Sequence, residues 1–346
     1  MKLFKIFMPV LALIGIVGLT QCSTEVDYDS DSIAGVVKLN TGDIANGAIV
    51  YLSTEPNAAN VVFSSVAGTN GAFSFAGLTA GTYYLSAKYN SANQNNANKR
   101  PSFNFTTGAD VDVEFDGSTV TQDLELIGNV ENGNAIVDME DGWVFDNTHT
   151  NVNFEFDYDA ENASFKGLFG EVGFDAFKFD EAAPANTVID AWVYLPSVET
   201  GSPTLAPNGH GRDDINGCLM GTFGVEPREA DTLTDGSGYY REDAATTEDH
   251  TGSGYARLTS KSVMAYGDGF MATCDILFRG QTSEVKMYFK YIEGFEAESR
   301  SGDPTQFSSF EGFFDFAPKA DHGAESGHLL DEIVTVDLGI QWTKKL

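Results

Sequence analysis

Long stretches of the chain alternate between apolar and polar residues, and this period restricts the fold more than any other feature of the sequence. Every second residue is apolar across 270–278, 285–291 and 334–342, and the same rule holds across 152–158. A period of two is typical of β-strands that bury one face against a core. The sequence therefore predicts an all-β fold.

Two blocks of strands of different length lie on either side of a stretch without periodicity. Short strands separated by turns such as Asn70-Gly71 fill residues 32–127, and about eight longer strands follow within 143–346. Residues 128–142 hold glycine, asparagine and acidic residues, a composition typical of a linker. The sequence thus predicts a small β module, a linker and a larger β module.

Two geometries bury the apolar faces of the longer strands, namely two packed sheets or one sheet closed into a barrel. Gly167, Gly170 and Gly173 lie at predicted bends and favour the barrel, because the curvature of a barrel needs such kinks. An eight-stranded antiparallel barrel has room for one small apolar ligand. Alternation alone leaves open whether its interior is hollow or filled.

The net charge makes nucleic acid an unfavourable partner. The chain carries 51 acidic and 20 basic residues, which gives a formal charge of -31. Proteins bind a phosphate backbone through Lys and Arg that release counterions, and this surface would instead repel a polyanion.

The spacing of cysteine and histidine predicts neither a metal nor a cofactor. Among 3 cysteines and 5 histidines there is no Cys-x-x-Cys pair and no cluster with ligand spacing. If the chain is exported to an oxidising compartment, Cys218 and Cys274 can form a disulfide. The alternative is that both are small buried side chains, and the sequence leaves the two alternatives open. His322 and most other histidines lie in loops rich in glycine or acidic residues and are predicted to be solvated.

The first residues have the composition of a targeting segment. Lys2 and Lys5 precede an apolar run over 6–19, which is too short to span a bilayer comfortably but has the length of a signal-peptide core. The run ends at Leu19-Thr20-Gln21-Cys22. This end resembles a bacterial lipobox, in which the cysteine thiol is acylated and opens the mature chain.

The lipobox resemblance implies a lipoprotein signal peptide at 1–21 and lipidation at Cys22. The acidic tether at 22–31 resembles the export signal of surface lipoproteins in Bacteroidota-type bacteria. The implied location is the cell envelope, with a lipid anchor in the outer membrane and exposure at the cell surface. The alternative is an ordinary secreted protein with an incidental cysteine.

Cys22→Ser is expected to move the protein from the detergent phase to the aqueous phase of a Triton X-114 extraction. Lipidation contributes about 0.8 kcal/mol of membrane affinity for each buried CH₂, so its loss removes the anchor. Cys218→Ser is the matched control and should stay in the detergent phase. Detergent partitioning that is unchanged in Cys22→Ser would contradict lipidation at this residue.

Strands and turns of the first module follow one another in a recognisable order. The frame runs through Gly35-Val36-Val37, Ala48-x-Val50-x-Leu52, Thr69-Asn70-Gly71-x-Phe73-x-Phe75 and Leu78-x-x-Gly81-x-Tyr83-x-Leu85. Residues 32–127 therefore resemble the carboxypeptidase regulatory-like (transthyretin-like) β-sandwich. The resemblance implies a spacer or stalk and no catalysis.

The second module carries a series of short motifs in a fixed order. They are Trp143-Val144-Phe145-Asp146-x-x-His149-Thr150, Gly167-x-Phe169-Gly170, Ser197-Val198-Glu199-Thr200-Gly201 and Leu277-Phe278-Arg279-Gly280-Gln281-Thr282. Residues 143–346 resemble the YceI-like polyisoprenoid-binding family. The resemblance implies an eight-stranded antiparallel, lipocalin-like barrel that binds, stores or transports a polyisoprenoid or similar amphiphilic lipid without catalysis.

The inward side chains of the barrel are the predicted ligand site. Together with the resemblance, their apolar alternation predicts a cavity lined by Phe154, Phe156, Phe270, Ala272, Ile276, Phe278, Met287, Phe289 and Phe314. The main alternative is an adhesion or structural protein whose barrel core is filled. An enzyme comes third, because no nucleophile motif accompanies Asp146 and His149, which are expected to form a structural hydrogen bond.

Overall fold

A computed structural model of the chain confirms the all-β prediction. No helix among the residues it describes is long and apolar enough to cross a membrane. The described residues are 31–91, 100–128, 133–158, 163–200, 216, 219, 222–223, 250–252, 254–299, 302–324 and 332–346.

The first module, residues 32–128, is a mixed sheet of nine short strands. The strands are β1 (Ser32–Leu39), β2 (Ile49–Ser53), β3 (Val61–Val66), β4 (Ala72–Ala76), β5 (Gly81–Asn90), β6 (Asn104–Thr106), β7 (Val111–Phe115), β8 (Val120–Thr121) and β9 (Leu124–Gly128).

Seven of these strands form a nearly closed barrel in the order β3-β2-β5-β6-β9-β1-β4. The predicted two-layer sandwich is therefore corrected to a single curved sheet. The physical reason is the parallel pairing of β1 with β9, which joins the β2–β5 side to the β1–β4 side around one core. The turn predicted at Asn70-Gly71 is present, and Gly71 has a φ of 76°, which favours glycine.

The second module begins at residue 136 and is an antiparallel sheet of twelve strands. The strands are β10 (Ile136–Asp138), β11 (Val144–Phe145), β12 (Asn151–Tyr158), β13 (Ala163–Phe169), β14 (Val172–Asp180), β15 (Val188–Tyr194), β16 (Val198–Thr200), β17 (Tyr255–Tyr266), β18 (Gly269–Phe278), β19 (Gln281–Glu298), β20 (Pro304–Phe316) and β21 (Val334–Lys345). The helix α1 (Pro318–His322) lies between β20 and β21.

Eleven strands of the second module form a half-barrel in the order β10-β14-β15-β17-β18-β19-β20-β21-β12-β13-β16. The prediction of an eight-stranded closed barrel is wrong. Additional strands extend the sheet at both ends, and the outermost two, β10 and β16, do not pair with each other in the described part of the chain. Residues 136–138 lie inside the predicted linker 128–142 but pair with β14 as part of this sheet.

Gly167 makes room for a ring on the neighbouring strand. Gly167 and Phe154 lie directly opposite each other in the β12–β13 pairing. A Cβ atom at Gly167 would come within 2.3 Å of Cζ of the Phe154 ring. Glycine at this position therefore serves close packing of the core.

Phe179 on β14 joins the two sides of the half-barrel through the core. Its side chain is fully buried. The ring centroid lies 5.0 Å from those of both Phe270 and Phe310, 5.3 Å from that of Tyr291 and 6.2 Å from that of Phe289. These four rings belong to β18, β19 and β20, so Phe179 connects one end of the sheet with its centre.

The first module packs against the outer face of β17–β20. Phe103 and Phe105 contact the ring of Tyr266 with centroid distances of 5.3 and 4.8 Å. Met271 and Phe313 belong to the same buried cluster. The two modules therefore share a hydrophobic contact surface, which we call the module interface.

A carboxylate is held in the module interface by polar contacts. Asp268 accepts hydrogen bonds from the backbone N–H of Asn104 at 2.9 Å and from its side-chain amide at 2.8 Å. The ammonium group of Lys290 lies 2.8 Å from Asp268. Burial alone raises the pKa of Asp268, but Lys290 and Asn104 outweigh burial, and the pKa lies below its usual value.

Candidate ligand cavity

The inner face of the half-barrel lines a partly open cavity of about 130 Å³. Its described lining comes from β12, β13, β14, β15 and β17–β21, and it is made almost entirely of aliphatic and aromatic side chains. Alternation along each strand turns these side chains inward, as for Ile189, Ala191 and Val193 on β15. The surface of the cavity is therefore apolar.

Phe223 comes from a segment outside the sheet and contributes to the cavity wall. It is buried, and its ring centroid lies 5.8 Å from that of Phe278 and 6.0 Å from that of Phe169. Phe154 lies 6.3 Å away on β12. Phe223 thus contacts rings from three strands of the half-barrel.

Six of the nine predicted site residues meet at this cavity, and three do not line it. Phe156, Phe270 and Ala272 are buried in the surrounding core. Their predicted contact with a ligand stays a prediction. The residues that line the cavity are Phe154, Ile276, Phe278, Met287, Phe289 and Phe314.

The sequence-based site missed the wall formed by β14 and β15. Phe174, Ala191 and Val193 line the cavity from these strands. The alternation of Ile189, Ala191 and Val193 was a usable signal, because it has the same period as the strands that were included.

Arg257 is the one charged residue among the described lining residues, and its guanidinium is paired with carboxylates. Nε and Nη2 donate to the two oxygens of Asp190, each at 2.7 Å. Nη2 also lies 3.0 Å from Oδ2 of Asp175. Because two carboxylates face this guanidinium, Arg257 adds little attraction for an anionic ligand.

The remaining predicted positions do not supply reactive groups. Nδ1 of His149 lies 2.8 Å from Oδ2 of Asp146, which confirms the predicted structural hydrogen bond. Cys274 is a buried free cysteine, and burial raises the pKa of its thiol to about 12, so the thiol is protonated and unreactive. Cys22 and Cys218 lie outside the described residues, so lipidation at Cys22 stays a prediction. Of the two alternatives that the sequence left open for Cys218 and Cys274, the free and buried Cys274 agrees with the small buried side chain rather than with a disulfide.

Metal binding has no support in the described part of the chain. No group of three or more histidine, cysteine, aspartate or glutamate side chains is arranged there to hold a metal ion.

Solved structures of YceI proteins are similar to this chain over about half of its length. The Campylobacter jejuni YceI protein is 14% identical, with a TM-score of 0.32, and the match covers 53% of this chain and 87% of that one. A cysteine variant of the same protein gives 13% identity and a TM-score of 0.33 over the same shares. The sequence matches no established protein family and no curated protein. At these values the similarity carries no conclusion about ligand or activity.

Proposed function

We propose that the second module binds a small apolar molecule, or the apolar chain of an amphiphile such as a polyisoprenoid, without catalysis. The observation that supports this proposal is the cavity of about 130 Å³ with its apolar lining. A well-packed core leaves few voids larger than a water molecule, so a space of this size departs from simple core packing. Apolar surface that enters it gains about 25 cal/mol for each Å² removed from water.

The size of the cavity restricts the part of a ligand that it encloses. A dry apolar cavity of about 150 Å³ holds one benzene molecule. The cavity of about 130 Å³ therefore encloses on the order of one isoprene unit. In this proposal a longer chain continues out of the cavity through the open side of the half-barrel.

We further propose that this binding module lies in the cell envelope. The signal peptide and lipidation at Cys22 that the sequence predicts would anchor the chain to the outer membrane. A lipid carrier or store at that membrane is the biological role we propose. The Cys22→Ser extraction tests the anchor separately from the cavity.

Ala191→Phe is expected to weaken the binding of geraniol, a ten-carbon isoprenoid alcohol, at least about tenfold in isothermal titration calorimetry. Ala191 lines the cavity, so the added ring occupies the space of the ligand. A tenfold loss corresponds to about 1.4 kcal/mol. The melting temperature should change little, because the ring enters empty space rather than a filled core.

Val188→Phe on the same strand is the matched control, because Val188 is exposed and does not line the cavity. It should leave geraniol binding unchanged. Lipid extraction of the wild type, followed by mass spectrometry, gives an independent result. A wild type that carries no lipid and binds no geraniol, together with a strongly destabilised Ala191→Phe, would favour the structural or adhesive alternative and overturn the proposal.

A further inference from the structure

A polar pair lies next to the wall of the apolar cavity, just beyond the residues that line it. The hydroxyl oxygen of Ser283 is 2.8 Å from Nε2 of His322. His322 is 1% exposed, although the sequence predicts a solvated side chain. Its ring centroid lies 5.5 Å from that of Phe278 and 6.0 Å from that of Phe316. Both phenylalanines line the cavity, so the pair packs against its wall, although neither Ser283 nor His322 is itself a lining residue.

Strand pairing turns Ser283 toward the same interior. Ser283 on β19 lies directly opposite Ile276 on β18. Residues that face each other across antiparallel strands point to the same side of the sheet. Since Ile276 lines the cavity, Ser283 belongs to the inner face, and its side chain is half-buried.

Two carbonyl groups determine where His322 carries its proton. Nδ1 lies 3.1 Å from the carbonyl oxygen of Phe278 and 3.2 Å from that of Gln281. Carbonyl oxygens only accept hydrogen bonds, so Nδ1 is protonated. In the neutral ring Nε2 is then an acceptor, and the hydroxyl group of Ser283 donates to it. Among the described residues no group donates to the hydroxyl oxygen of Ser283, so its lone pairs are available for a donor on the ligand.

We propose that Ser283 binds the hydroxyl head group of an amphiphilic alcohol whose apolar part occupies the cavity. The ligand O–H donates to the hydroxyl oxygen of Ser283, and His322 is a positioning residue that holds this oxygen in the accepting orientation. This inference rests on the proposed function, because it names the ligand class of the same cavity. An anionic head group fits less well, because the proton of Ser283 is already donated to His322.

The test compares geraniol with geranyl methyl ether, which keeps the oxygen but lacks the O–H donor. Wild-type protein should bind geraniol about fivefold more tightly than the ether, the ratio given by one hydrogen bond worth about 1 kcal/mol. Ser283→Ala should bind both compounds equally. The ether affinity itself should not change, because the apolar contacts remain.

A second pair of variants keeps the test valid if Ser283→Ala is poorly folded. Ser283→Thr and Ser283→Val introduce side chains of nearly the same shape. Only the threonine variant retains a hydroxyl group. The threonine variant should keep the preference for geraniol and the valine variant should lose it. Thr282→Ala, at an exposed neighbouring position, is the control and should keep the preference.

Several outcomes would overturn the assignment, and they are distinguishable from failure of the cavity proposal. Equal affinity of wild-type protein for alcohol and ether, or a preference that survives in both Ser283→Ala and Ser283→Val, overturns the role of Ser283 but leaves the cavity as the binding site. Tighter binding of geranic acid than of geraniol overturns the alcohol class. Wild-type protein that binds none of these compounds overturns the proposed function itself.

Discussion

Phe103→Ala is expected to lower the free energy of unfolding by about 3–5 kcal/mol, the range typical of a fully buried phenylalanine. The ring is 1% exposed and lies in the module interface, 5.3 Å from the ring of Tyr266 and 6.3 Å from that of Tyr288. The ammonium group of Lys290 lies 5.4 Å from its centroid. Truncation removes all three contacts at once, and urea unfolding followed by circular dichroism measures the loss.

The same variant tests whether the two modules unfold together. If the module interface stabilises both, wild-type protein should show one transition and Phe103→Ala should separate it into two. Phe63→Ala is the matched control, because Phe63 is 48% exposed on β3 and its loss should cost less than about 0.5 kcal/mol. A Phe103→Ala variant as stable as Phe63→Ala would show that the modules are independent.

Phe179→Ala is expected to lower the free energy of unfolding of the second module by about 3–5 kcal/mol. The stability of the first module should not change. Its ring contacts four aromatic side chains from three strands and connects β14 with the centre of the sheet. The vacated space has rigid neighbours on several sides, so it collapses incompletely. Thermal unfolding should therefore show a lower melting temperature for the transition of the second module.

Val144→Ala provides the comparison for Phe179→Ala. Val144 belongs to the same sheet, where β11 pairs with β21, and its side chain is 62% exposed. Its loss should change the melting temperature by an amount close to the error of the measurement. Equal melting temperatures of the two variants would contradict the central position of Phe179 in the core.

The sequence predicts the strands of the second module well because alternation is a local property. The inward set from Phe270 to Phe278 depends only on a period of two, and the structure places it on β18. Closure of the sheet could not be predicted in this way, because the strands of an open sheet and of a closed barrel have the same alternation. The strand at Ile136–Asp138 is also too short to show a period, and it lies within the predicted linker.

The environment of His322 was beyond local prediction for a related reason. Its position in a segment rich in polar residues and glycine indicates a solvated loop. In the structure α1 packs on the turn between β18 and β19, so His322 meets the carbonyl group of Phe278, which is 44 positions away in the chain. Burial here depends on a long-range contact that the composition of the segment does not encode. The cavity could not be predicted from the sequence either, because an apolar strand face is equally compatible with a filled core.

The open half-barrel has a consequence for the behaviour of many copies at high concentration. A sheet with free edges offers unpaired N–H and C=O groups to strands of other molecules, which is a common route to aggregation. The outermost strands of the eleven-strand path, Ile136–Asp138 and Val198–Thr200, have three residues each. In the described part of the chain each of these edge strands is only about 10 Å long and offers a foreign strand few hydrogen bonds. The formal charge of -31 adds repulsion between copies, so the sheet can remain open without promoting polymerisation.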